Sequence, residues 1–80
     1  MSVKVLFFAQ CADWMNKREV EIPVARPVRM IDMIGSSPEL KPILAHLRAL
    51  QVALNREIAS LESEVRDGDE VAFLPPVSGG

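Results

Sequence analysis

Eighty residues, 49% of them hydrophobic and 25% charged, make one small domain with one core, because a body of this size buries only about 60 to 65% of the surface its unfolded chain exposes. No apolar run approaches the roughly 20 residues of a membrane span, and Met1 to Lys4 lacks the basic region and apolar run of a signal peptide, so the expected setting is the cytoplasm, with no membrane partner. A net charge of −2 offers no basic field to nucleic acid, and a single cysteine, Cys11, with a single histidine, His46, excludes an internal disulfide and argues against a Cys/His zinc site; no metal and no bound cofactor are expected.

Val3-Lys-Val-Leu-Phe-Phe-Ala9 is apolar on both alternating faces, Val3/Val5/Phe7 and Leu6/Phe8, which predicts a central strand covered on two sides. Gln10 to Lys17 reads as a loop carrying Cys11 and Trp14. Arg18 to Val24 alternates strictly, with Val20, Ile22 and Val24 on one face; Pro23 has no N–H to give a ladder, so this is an edge strand. Pro27 suits the first turn of a helix whose stripe is Val28, Ile31 and Ile34, ended by Gly35. Ser36-Ser37-Pro38 starts a second helical segment through Leu40, Ile43, Leu44 and Leu47, in which Pro42 would lack a hydrogen bond if it lay deep inside.

Leu50 to Leu54 reads as a strand, Asn55-Arg56 as a tight turn and Ile58 to Leu61 as a shorter strand. Asp67-Gly68-Asp69 is a second turn that launches the last strand, Glu70 to Leu74. Two antiparallel strands followed by a helix crossing the sheet imply a last strand parallel to the first. The fold class is α+β: a β-grasp, ubiquitin-like mixed sheet with helices on one face, spanning residues 1–74, and an extended flexible C-terminal tail over residues 75–80.

That tail is Pro75-Pro76-Val77-Ser78-Gly79-Gly80. Two prolines favour an extended spacer, whereas two glycines keep nearly full backbone freedom. Six extended residues reach roughly 20 Å, enough to carry the Gly80 carboxylate into another protein. Glycine lacks a β-carbon, so Gly79 and Gly80 pass a narrow slot and leave the reacting carbon uncrowded. A carboxylate is a poor acyl donor until its oxygen becomes a leaving group, as adenylation by ATP would make it; a sulfur nucleophile then leaves a thiocarboxylate. The plain alternative is a frayed end.

Taken together, Val3 to Gln10, Asp67-Gly-Asp-Glu-Val-Ala-Phe73 and the tail Pro75 to Gly80 resemble the small, sulfur-carrying subunits of molybdopterin synthases, the MoaD/ThiS family, across nearly the whole chain. The family is ubiquitin-like in fold. The resemblance implies two partners: an ATP-dependent, E1-like adenylating enzyme that activates Gly80, and the large synthase subunit that receives the tail, arranged as a heterotetramer on a large-subunit dimer. It implies a glycyl adenylate and then a 1-thioglycine at Gly80, and sulfur donation to cyclic pyranopterin monophosphate to build the molybdopterin dithiolene. The chain itself would be a protein cosubstrate with no catalytic residues of its own. Relatives often have Thr or Ser where Pro27 stands and a second aromatic where Leu74 stands, and 36–49 holds no family motif.

Leu74 is the expected partner-binding residue beside the tail. Phe7 and Phe73 carry a split reading, partner contact or sheet core, with strand position favouring core. Cys11 reads as a small apolar filler and His46 as an ordinary packing residue. The acidic run Glu62 to Glu70 reads as a solvated face that also suits steering toward a basic pocket. Two other functions share the sequence features: a carrier for thiazole synthesis or tRNA thiolation, and a ubiquitin-like interaction module with an idle tail.

Overall fold

The computed structural model describes residues 1–75. Seven strands, β1 (Ser2–Phe7), β2 (Glu19–Pro23), β3 (Val28–Arg29), β4 (Gln51–Leu54), β5 (Glu57–Ala59), β6 (Glu64–Val65) and β7 (Glu70–Leu74), alternate with three helices, α1 (Gln10–Met15), α2 (Met30–Ser36) and α3 (Lys41–Leu44). Five strands form one mixed sheet in the order β2-β1-β7-β4-β5, and β3 pairs with β6. β1 and β7 run parallel at the centre, and β2 is an edge, as Pro23 requires. This is the β-grasp arrangement, with the helices on one face.

Alternation sorts each strand's side chains between the two faces. Val3, Val5 and Phe7 of β1, Ile22 of β2, Val52 of β4 and Val71 and Phe73 of β7 point toward the helices and are buried with Cys11, Met15, Met30, Met33, Ile34, Leu40, Ile43 and Val65. Phe7 and Phe73 are registered partners whose rings stack at 6.0 Å. Asn55 and Arg56 take left-handed φ angles of 51° and 73°, the two-residue turn read between β4 and β5. Gly68, at φ 89°, occupies the position before β7 where a side chain would be strained.

Several sequence expectations are corrected. The expected loop 10–17 contains α1: Cys11 and Met15, one turn apart, are both buried, and left-handed Asn16 closes the helix with its N–H on Ala12 and Asp13 carbonyls. Pro27 does not start a helix. Val28–Arg29 pairs with Glu64–Val65 instead, and the helix begins at Met30, whose N–H, like that of Ile31, is taken up by the carbonyls of Ser63 and Leu61 at 2.8 Å. The buried stripe is therefore Met30, Met33 and Ile34, with Met33 only 2% accessible. Gly35 lies within α2, and the stop comes from Ser37, whose hydroxyl donates to the Met33 carbonyl at 2.7 Å.

The segment 38–49 is three short pieces rather than one helix: a 3₁₀ turn Pro38–Leu40, α3, and a 3₁₀ turn Leu47–Ala49. Pro42 sits in the first turn of α3, where its missing N–H has no partner to lose. Trp14 of α1 stacks on His46 at 3.7 Å, tying this segment to α1.

Ala9, between β1 and α1, has φ 50° and ψ −124°, a region that costs a non-glycine residue roughly 1 to 3 kcal/mol. It is held there by a tight turn in which the Cys11 N–H donates to the Phe8 carbonyl at 2.9 Å. Ala9→Gly relieves the strain and adds unfolded-state entropy in partial offset, so it is expected to stabilise the fold by about 1 kcal/mol and raise Tm by several degrees. Thermal denaturation followed by circular dichroism checks this, and a lowered Tm would show that the turn is unstrained.

Candidate functional site

On the sheet face away from the helices, the side chains form rows across the strands. Registered pairing places Glu19, Leu6, Ala72, Ala53 and Ile58 in one row. Toward the end where the chain leaves β7, Phe8 follows β1 and Leu74 pairs with Gln51; the Phe8 N–H donates to the Phe73 carbonyl, which fixes Phe8 beside the last strand. In the opposite direction the row is charged: Glu21, Lys4 and Glu70. This face is apolar near the exit of the tail and charged away from it.

Among the described residues no element covers this side. Phe8 is 46% accessible and Ile58 70%, both large apolar residues whose burial elsewhere would be favourable by about 1.5 to 3 kcal/mol each. With Leu6, Ala53, Ala72 and Leu74 they line a shallow depression of about 450 Å³, rimmed by Arg56 and Glu70, whose charged groups stand 4.0 Å apart. A contiguous apolar patch with a polar rim is the anatomy of a protein-docking surface. The expectation that β1 is covered on both sides is thus corrected: Leu6 and Phe8 face outward because every helix packs on the Val3/Val5/Phe7 side.

The sequence-predicted residues divide by this geometry. Leu74 is half-buried on the open face, next to Phe8 and at the root of the tail. Phe73 and Phe7, at 0% and 3% accessibility, belong to the core, so the core half of their split reading describes both; their rings face the helices and offer a partner no surface. Pro75 follows Leu74 half-buried. Pro76, Val77, Ser78, Gly79 and Gly80, with the expected tail conformation, lie outside the described residues. Phe8 and Ile58 are docking candidates that the sequence does not single out; the Leu6/Phe8 alternation marks Phe8 as lying on the second face of β1, but alternation alone does not tell an open face from a covered one.

Cys11 is fully buried in the core, and that burial pushes its thiol above the usual cysteine range. A neutral, enclosed thiol is a poor nucleophile, which weighs against sulfur carriage at this residue. Among the described residues no helix is long and apolar enough to cross a membrane.

A small β-grasp body with an apolar face left open among the described residues, beside the strand that leads into a diglycine sequence, has the form of a protein that acts by docking on others. The ThiS family model matches residues 5–80, and the chain belongs to that family. It is 35% identical to the molybdopterin synthase sulfur carrier subunit of Mycobacterium tuberculosis, over all of this chain and 99% of that one. Among solved structures it is similar to SAMP1 of Haloferax volcanii, with a TM-score of 0.85 and 26% identity over the full length of both chains. It is also similar to a chain of the complex of subunits 1 and 2 of the molybdopterin-converting factor from Helicobacter pylori, with a TM-score of 0.69 and 26% identity, again over both full lengths. The chain is a sulfur carrier of the MoaD/ThiS type, which is not catalytic alone and acts with a partner enzyme.

Proposed function

We infer that this chain is the sulfur-donating small subunit of a molybdopterin synthase, working in the cytoplasm. The observation that carries the reading is the exit of the chain: Leu74 ends a central strand beside Phe8 and the uncovered apolar rows, and the family match continues to Gly80. A partner that covers this face receives the tail in the same encounter. Likeness to a carrier subunit of M. tuberculosis and to a chain of the H. pylori two-subunit complex supports the large synthase subunit as that partner. The assembly is a heterotetramer, one carrier on each large subunit of a central dimer.

The chemistry follows from the acyl end. In an ATP-dependent adenylating enzyme, a Gly80 carboxylate oxygen attacks the α-phosphate of ATP and pyrophosphate departs, leaving a glycyl adenylate. A sulfur nucleophile displaces AMP, and Gly80 becomes 1-thioglycine. The proline pair Pro75-Pro76 favours an extended spacer, and Val77, Ser78, Gly79 and Gly80 are the residues assigned to threading the acceptor's channel. There the thiocarboxylate sulfur is donated to cyclic pyranopterin monophosphate, water releases the acyl group, and the carboxylate is restored. Two such donations complete one dithiolene, so the carrier must leave and be recharged.

The test is intact mass measurement after incubation with the adenylating enzyme, ATP and a sulfur donor, with fragmentation of the tail. Exchange of one oxygen for sulfur at Gly80 is the expected result. No gain with a competent enzyme would leave an interaction module with an idle tail, and a gain at Cys11 would make the chain a thiol-based carrier. Charged carrier that restores thiazole synthesis or tRNA thiolation, and not molybdoenzyme activity, would keep the acyl chemistry and overturn the acceptor.

A further inference from the structure

The open face carries a symmetry that enzyme docking does not require. β1 and β7 are adjacent and parallel, and their registered pairs on this face are Lys4 with Glu70 and Leu6 with Ala72; Phe8 and Leu74 come next beyond. A two-fold axis lying along the strands, midway between β1 and β7, preserves strand direction and exchanges the two. Strand β1 of one copy then lies over β7 of another. Phe8 meets Leu74, Leu6 meets Ala72, and Lys4 meets Glu70, each contact made twice. Over the two central strands apolar groups fall on apolar groups and opposite charges on opposite charges, while at the margin Glu19 of β2 falls over Ala53 of β4.

The charged pair is available for this. Lys4 is exposed and, among the described residues, takes part in no ion pair, while Glu70 reaches Arg56 only at 4.0 Å. We propose that, in the carrier not engaged by an enzyme, this face is covered by a second copy of the same chain in that two-fold arrangement. Four overlapping strands at about 4.8 Å spacing, three side-chain rows deep, give roughly 300 to 400 Å² on each copy, well under the roughly 800 Å² per partner of a stable complex. The dimer is therefore weak and reversible. It shields Phe8 at high local concentration and yields to an enzyme that covers the same face and also takes in the tail. That last consequence rests on the docking reading above; the dimer itself does not.

Sedimentation velocity and nuclear magnetic resonance of the full chain, from tens of micromolar to about a millimolar, test the proposal. Reversible self-association is expected, with shift changes confined to β1, β7 and their neighbours on the open face. Lys4→Glu alone and Glu70→Lys alone each set like charges against each other and should weaken association by about fivefold or more, whereas the double exchange restores it. A mixed sample of labelled and unlabelled chain should show intermolecular contacts between the Phe8 ring and the Leu74 methyls, which reads the arrangement without any substitution. A monomer at every concentration, single reversals without effect, a double exchange that fails to restore association, or no Phe8 to Leu74 contact would each overturn it. Loss of the dimer with enzyme docking intact would sink this inference alone; failure of Phe8→Asp to affect enzyme docking would sink the docking reading alone.

Discussion

Replacing Phe8 by aspartate is expected to weaken association with the acceptor enzyme by about thirtyfold or more, the scale of a hot-spot aromatic, while leaving the fold intact. The side chain is nearly half accessible and faces away from the helices, so the carboxylate stays in water in the isolated carrier. In the complex it would be placed in a desolvated apolar contact with no partner, beside Leu74 at the root of the tail. The adjacent residue supplies the contrast. Phe7→Ala removes a core ring stacked on Phe73 and should cost about 3 to 5 kcal/mol of stability, a large part of what a domain of this size has. Calorimetric titration with the acceptor enzyme and thermal melts of both variants separate the two faces. Wild-type affinity in Phe8→Asp would remove the open face from the docking account.

How much of this was legible before the structure depended on how far each signal was local. Strand β1, the edge strand with Pro23, the Asn55-Arg56 turn and the Asp67-Gly68-Asp69 turn each declare themselves through alternation, a missing N–H or a backbone conformation. The parallel pairing of first and last strands followed from element order. What failed was tertiary. Strands β3 and β6 have two residues each, too few for any period, and exist because the carbonyls of Leu61 and Ser63 receive the first N–H groups of α2. That contact moves the helix start from Pro27 to Met30 and rotates its buried stripe from Val28 and Ile31 to Met30 and Met33. The same limit governed the site. Alternation separated Phe7 from Phe8, but only the packing of the helices decides which of the two is covered, and so which one a partner can touch.

Deletion of Gly80 is expected to abolish sulfur donation, by more than about a thousandfold, with the carrier still folded and still docked. Residue 80 adds about 3.5 Å of reach, and since a misplacement of about 1 Å at a reacting centre can cost a hundredfold, a tail one residue short holds its acyl carbon well outside attacking distance of both the ATP phosphate and the acceptor. The docking rows, Leu6 with Ala72 and Phe8 with Leu74, remain intact, so the truncated chain should act as a competitive inhibitor of the full-length carrier rather than as an inert one. This combination separates position from contact: a residue that mattered only by touching the partner would lower affinity on removal, whereas Gly80 is expected to leave affinity nearly unchanged and remove turnover. A single-turnover assay with charged carrier, together with competition by the truncated chain, measures both quantities. Turnover within tenfold of the full-length carrier would place the reacting carbonyl elsewhere. Lost competition with lost turnover would mean that the terminal residue, and not the open face of the sheet, holds the carrier on its enzyme.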